Sequence, residues 1–223
     1  MMILTTILYS MVLKNYYYYF PGIFRDKFCD EVIKHGNFFR DEVAITGKQT
    51  PMVEKNKSLT KDEVKDLKKK RDSNIVWLND LWIYKEIHPY IHEANSKADW
   101  NFQWDWSESC QFTKYQLNQF YGWHCDSWEV PYSDKKEKNF IGKIRKLSAT
   151  ITLSDPKDYK GGELEFDFRN FDPDKEPSTR ICKEILPKGS IVVFPSFLWH
   201  RVKPVTEGTR YSLVMWNLGS PYK

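Results

Sequence analysis

Ser190-Ile-Val-Val-Phe-Pro-Ser-Phe-Leu-Trp-His-Arg-Val202 decides the fold class. A β-branched and aromatic run over Ser190–Pro195 reads as a strand; the hydrophobic corner Phe-Leu-Trp199 follows, then a second short strand at His200–Val202. Pro187-Lys-Gly189 supplies the turn before it. The same rhythm holds from Trp100 onward. Cys110–Tyr115, Leu147–Leu153, Glu163–Phe168 and Arg210–Trp216 are further β-prone runs, with turns at Gly161-Gly162 and Glu207-Gly208.

Upstream the character differs. Asn15–Phe20 is aromatic and β-prone, and Pro21-Gly22 turns the chain. Asp26 is placed to cap a helix over Lys27–His35 that Gly36 would end. Leu81–Asn95 carries Leu81, Tyr84, Ile87, His88 and Ile91 at helical spacing. Residues 58–71 are strongly charged and read as a solvated helix or loop rather than a basic nucleic-acid patch. Helices first and a strand array second, without a βαβ alternation, predicts a mainly β architecture with buttressing α-helices, an antiparallel sandwich or barrel. Residues 1–99 are expected to be the N-terminal strand and helical support, and 100–223 the core, within the same domain.

Composition sets the outer bounds. The 223 residues are 41% hydrophobic and 29% charged, enough for a packed core and against wholesale disorder. The net charge of +4, from 34 basic and 30 acidic residues, is too small to argue for nucleic acid. Cys29, Cys110, Cys125 and Cys182 form no CxxC pair, so reduced thiols and a cytoplasmic location are expected. The apolar start Met1–Leu13 is too short to span a bilayer and lacks the basic start and cleavage site of a secretory signal. It reads as a first strand or as a tail before a start at Met11. No membrane association is expected, and the oligomeric state is not legible.

The chemistry is concentrated in Tyr121-Gly-Trp-His124-Cys-Asp126. Residues i and i+2 of a strand point to one side, so His124 and Asp126 offer an imidazole nitrogen and a carboxylate to one ion. His200 is the only later histidine in the strand region. Two His and one Asp make the facial triad of non-haem Fe(II) oxygenases, which leaves open coordination positions. His88 and His92, at i and i+4, have the spacing of a metal pair, but Pro89 lies between them and no third ligand is near, so no metal is expected there. Arg210 follows His200 by ten residues, and Pro204–Gly208 between them is suited to reversing the chain. An arginine returning to the cavity would pair with the carboxylate of a 2-oxo acid.

With these residues in hand the sequence resembles the Fe(II)/2-oxoglutarate-dependent oxygenases, and among them the prolyl 4-hydroxylase-like, PKHD-type hydroxylases. The resemblance is carried by Gln111–Tyr115, Tyr121–Asp126, Thr152–Asp155, Lys160–Glu163, Pro187–Phe194, His200–Val205 and Gly208–Trp216, about half the chain. It implies a double-stranded β-helix, a cupin-like jelly-roll. It implies Fe(II) on His124, Asp126 and His200, with 2-oxoglutarate on Arg210 and Tyr115; Thr150 and Thr152 are further candidates to line that pocket. It also implies O2 as oxidant and ascorbate as a reductant. The activity implied is hydroxylation of a substrate C–H bond, with release of succinate and CO2. A protein or peptide substrate, peptidyl proline first, or an amino acid or other small molecule is expected, and nucleic acid is not.

Substrate contacts are assigned from the polar insertion 127–146. Trp128 and Tyr132 near its start, and Tyr121 before it, are the candidates, because loops beside a metal carry specificity. Two other classes remain open at this point: a non-catalytic jelly-roll binding module and a metal-dependent hydrolase on a cupin-like fold.

Overall fold

The computed structural model describes residues 13–43, 61–127, 130–133, 138–169 and 176–222. Residues 1–12, including Met11, and Trp128 lie outside the described residues. Two antiparallel sheets face each other. The larger runs in the order Tyr18–Phe20, Ile191–Pro195, Ile144–Thr152, Arg210–Gly219, Cys110–Tyr115, Asn74–Leu78, Glu42–Val43, with Trp106–Ser107 pairing the end of the Arg210–Gly219 strand. The smaller runs Thr179–Ile181, Leu164–Asp167, Trp199–Val202, Phe120–His124, Arg71–Asp72. The chain is mainly β and jelly-roll-like, as expected.

Alternation on the larger sheet divides the interior in two. Cys110, Phe112, Leu147, Ala149, Ile151, Ile191, Val193, Leu213 and Met215 point to one side. There they meet Phe28, Cys29 and Val32 of helix Asp26–Phe38 and Ile83, Ile87, Ile91 and Ala94 of helix Leu81–Lys97. Each fully buried aliphatic chain in this layer contributes about 1.5–3 kcal/mol, so the helices are held chiefly by packing. The intervening residues face the smaller sheet, where Val192, Phe194 and Tyr115 pack with Leu164, Phe166 and Val202.

Several local expectations are corrected. Helix Asp26–Phe38 begins at Asp26 itself, with Arg25 before it and no side-chain cap. Asp26 acts from the first turn, where its charge favours the helix N-terminus. Gly36 does not end the helix: it is buried under the Phe112 ring, where a Cβ would collide. The buried stripe of Leu81–Lys97 is Ile83, Ile87, Ile91 and Ala94, whereas Leu81 is 75% exposed. Pro204–Gly208 contains a strand, Val205–Gly208, paired with Tyr159–Gly161. The insertion ends earlier than expected, because the Ile144–Thr152 strand takes its last three residues. His88 Nε2 lies 3.0 Å from Ser107 Oγ and His92 stacks on Trp104, and among the described residues neither belongs to a cluster of three metal-binding groups.

Candidate metal centre

His124 ends the Phe120–His124 strand and stands directly opposite His200 on the neighbouring strand. Asp126 lies two residues beyond the strand end. Its backbone N–H and that of Ser127 both donate to the Ser196 carbonyl at 2.8 Å, which pins the bend to the Pro195 corner. One ligand atom from each of His124, Asp126 and His200 falls within 4.8 Å of the other two. His124 Nε2 is 3.7 Å from Asp126 Oδ1, and His200 Nε2 is 3.6 Å from Asp126 Oδ2.

The tautomers follow from the other ring nitrogens. His124 Nδ1 lies 2.8 Å from the Gly122 carbonyl and His200 Nδ1 2.9 Å from that of Leu198. A carbonyl only accepts, so each Nδ1 carries a proton, and Nε2 is the ring nitrogen turned toward Asp126. Burial, followed by the neighbouring His200, holds the His124 imidazole well below its ordinary pKa. Burial pushes Asp126 up, but His200, His124 and Arg145 together prevail and hold its carboxyl below the usual value. Two imidazole nitrogens and one carboxylate are a borderline nitrogen and oxygen donor set that suits Fe(II). The residues present therefore fit the ion.

Asp126 is further held by Ser148, whose Oγ donates to Oδ2 at 2.7 Å. Ser148, Thr150 and Thr152 alternate onto the buried face toward the smaller sheet. Arg210 opens the Arg210–Gly219 strand opposite Tyr115, with its guanidinium 5.5 Å from the Tyr115 ring centre. It is 2% exposed and donates to Ser212 Oγ at 3.3 Å. Among the described residues no carboxylate pairs with it. A buried guanidinium without a counter-ion is a standing demand for an anion.

Tyr121, expected to line substrate space, packs its ring on His124 with centres 3.4 Å apart, and the Arg71 guanidinium sits 4.3 Å from its centre. Tyr132 donates from its hydroxyl to Glu108 Oε1 at 3.1 Å. Three residues near the centre escaped the sequence reading. Arg71 is buried, donating to Ser73 Oγ and Gln111 Oε1, and thereby bridges the two sheets. Glu108 and Arg145 form a bidentate pair with both contacts at 2.6 Å, and Arg145 lies 3.9 Å above the Trp216 ring. Arg71 ends a Lys-Lys-Lys-Arg run, so its charge looked like one more solvated surface group.

Residues 110–217 match the 2OG-Fe(II) oxygenase superfamily. Over that segment, just under half of the chain, the fold and the donor set agree with a 2OG-Fe(II) oxygenase domain. The same stretch is similar in sequence to PKHD-type hydroxylases, and the fold is similar to that of solved prolyl hydroxylases. The PKHD-type hydroxylase YbiX of Escherichia coli O1:K1 is 38% identical over 106 residues, 47% of this chain and 40% of the relative. That of Shigella boydii serotype 18 matches to the same extent. The chain thus matches about two-fifths of the length of these curated relatives. Among solved structures, the viral collagen prolyl hydroxylase of Paramecium bursaria Chlorella virus-1 superposes with a TM-score of 0.55 at 18% identity, covering 92% of this chain and 97% of that one. A Pseudomonas putida prolyl-4-hydroxylase gives 0.55 at 17% identity, covering 92% of each chain. A Trichoplax adhaerens prolyl hydroxylase, solved with a hypoxia inducible factor peptide fragment, gives 0.56 at 16% identity, covering 92% of this chain and 84% of that one. Among the described residues no helix is long and apolar enough to cross a membrane.

Proposed function

We propose that the protein is an Fe(II)- and 2-oxoglutarate-dependent dioxygenase that hydroxylates a C–H bond of a peptidyl or amino-acid substrate. His124, Asp126 and His200 hold the iron, and Arg210 with Tyr115 receives the distal carboxylate of 2-oxoglutarate. Thr150 and Thr152 line the same floor. Bound there, Fe(II) with 2-oxoglutarate supplies the two-electron oxidising chemistry that activates O2, yielding succinate, CO2 and a hydroxylated product. Ascorbate is the reductant assigned to keep the metal ferrous.

The observation that carries this reading is a pairing of demands in one interior. Three ligand atoms converge within 4.8 Å of one another, and a buried guanidinium with no carboxylate partner among the described residues lies on the facing sheet. The protein's own contribution is mechanical and electrostatic. The Gly122 and Leu198 carbonyls fix both imidazoles, Ser148 orients the carboxylate, and the layers of Phe166, Phe194 and Val202 exclude water. The solved neighbour with a bound peptide supports a peptide as the first substrate to try.

The two halves, 1–99 and 100–223, are assigned to one domain, since strands of the first lie within the larger sheet of the second. A reducing, cytoplasmic setting is supported by four free cysteines; burial pushes Cys29 up to about 11 and Cys110 and Cys182 to about 12.

The test is anaerobic addition of Fe(II) and then 2-oxoglutarate to the metal-free protein, alongside His200→Ala. A weak visible charge-transfer band is expected only in the unsubstituted protein and only with both components. No band from a folded protein would favour the binding-module or hydrolase alternatives.

A further inference from the structure

The face that the larger sheet turns toward the smaller one carries a row of hydroxyls where a sandwich interior is ordinarily apolar. Thr113, Ser212 and Thr152 stand side by side on three adjacent strands, Thr113 opposite Ser212 and Ser212 opposite Thr152. All three are buried. Ser212 accepts a hydrogen bond from Arg210. Thr113 Oγ1 is buried and has no hydrogen-bond partner among the described residues. A valine would fill the same volume without leaving a donor unmet, so the hydroxyl is a local penalty unless something outside the chain meets it.

The neighbourhood says what that something is. Two residues along the same strand and on the same face stands Tyr115, directly opposite Arg210. Among the described residues Arg210 has no carboxylate partner, and its stem is clamped, since a Cβ on Gly162 would come within 2.9 Å of Arg210 Cδ. Two unmet demands, a guanidinium and a hydroxyl donor, therefore flank Ser212 on one buried face. A single carboxylate answers both, because its two oxygens offer about four acceptor positions and a guanidinium fork occupies only two of them.

We propose that Thr113 is a co-substrate-binding residue: its hydroxyl donates to the carboxylate that pairs with Arg210, on the side of that carboxylate facing the Cys110–Tyr115 strand. The inference rests on the proposed function above and extends it to a residue whose role there is unassigned. A carboxylate held only by the fork is free to rock about the guanidinium; a donor on a second strand removes that freedom and sets the direction in which the rest of the acid leaves the cradle.

The test is calorimetric titration of 2-oxoglutarate into the full chain under anaerobic conditions with Mn(II) in place of Fe(II). The chains compared are the unsubstituted protein, Thr113→Val, Thr113→Ala and Thr113→Ser. Loss of one hydrogen bond to a charged acceptor is expected to weaken binding about tenfold in both Thr113→Val and Thr113→Ala. Thr113→Ser is expected to stay within about twofold. Mn(II) affinity is expected to be the same in all four, and the ligand-free melting temperature of Thr113→Val no lower than that of the parent. Equal 2-oxoglutarate affinity in the parent and in Thr113→Val or Thr113→Ala would overturn the inference and leave the hydroxyl to a water molecule. Weakening in Thr113→Ser as large as in Thr113→Val would overturn it too, since shape rather than the hydroxyl would then be responsible. Failure of the parent itself to bind 2-oxoglutarate would overturn the dioxygenase reading, and this inference with it. That outcome is distinguished by appearing before any substitution is made.

Discussion

Ser148 Oγ donates to Asp126 Oδ2 at 2.7 Å while lying 2.9 Å from Ser196 Oγ. The Ser148 hydroxyl has one proton and the ionised carboxylate can only accept, so the Ser196 hydroxyl must donate to Ser148. Ser196 also receives the Asp126 and Ser127 backbone N–H groups on its carbonyl. The carboxylate is thus fixed from both ends by one serine corner and one strand serine.

Ser148→Ala removes that orientation without removing a ligand. Partners that orient metal ligands are worth about ten- to a hundredfold in metal affinity. Fe(II) binding is expected to weaken by at least tenfold, read by anaerobic competition with a chelator, with the fold intact by circular dichroism. Unaltered affinity would show that the bend at Asp126 alone sets the carboxylate.

His124→Ala, Asp126→Ala and His200→Ala are each expected to abolish iron binding, measured as metal content after reconstitution. Arg210→Ala should leave the metal in place and raise the 2-oxoglutarate requirement at least tenfold, because a charge-assisted bond is worth about 1.5–3 kcal/mol. Normal metal content in all three ligand variants would sink the triad. An unchanged 2-oxoglutarate requirement would move the clamp elsewhere.

What was legible in the sequence follows the length and period of each element. Cys110–Tyr115 has its structural bounds in the expected reading, because Cys110 and Phe112 alternate with Gln111, Thr113 and Tyr115 across two chemically different faces. The grouping of His124, Asp126 and His200 was legible from residue type and the His-x-Asp spacing, but its assumed cause was not. The strand ends at His124, and Asp126 is turned to the centre by a bend held on the Ser196 carbonyl rather than by strand alternation. Arg71–Asp72 and Trp106–Ser107 were not legible, since a two-residue strand has no period and exists only because its neighbours pair with it. The helix face at Leu81–Lys97 was misassigned because Leu81, Tyr84 and His88 also fit a helical stripe. Only the packed layer decides between that stripe and the one through Ile83, Ile87 and Ile91. The Glu108–Arg145 pair spans 37 residues, a separation at which no local pattern operates.

Gly162 has φ +65°, and a Cβ there would meet Arg210 Cδ and Val205 Cγ2, both at 2.9 Å. Gly162→Ala therefore combines a left-handed backbone that a side chain disfavours with a push on the clamp itself. A loss of about 1–3 kcal/mol in stability is expected, seen as a lower denaturant midpoint, together with weaker 2-oxoglutarate binding. A variant as stable as the parent would mean that the turn relaxes freely.

A pH-dependent test comes from outside the centre. Burial first, and then the neighbouring His92, hold the His88 imidazole below its ordinary pKa in the folded protein. In the unfolded chain it titrates near about 6.5. As pH falls through that value the unfolded chain takes up the proton first, so stability declines from there until pH passes below the folded value. Well above pH 7 both states are neutral and His88 contributes no slope. His88→Gln keeps a donor for Ser107 but cannot titrate, so its melting temperature is expected to fall less between pH 7.5 and pH 5.5 than that of the parent. The metal-free protein is the one to compare, because His124 then contributes the same slope to both chains and cancels. Thermal melts at half-unit pH intervals suffice, and parallel curves would show that His88 gains its proton as easily folded as unfolded.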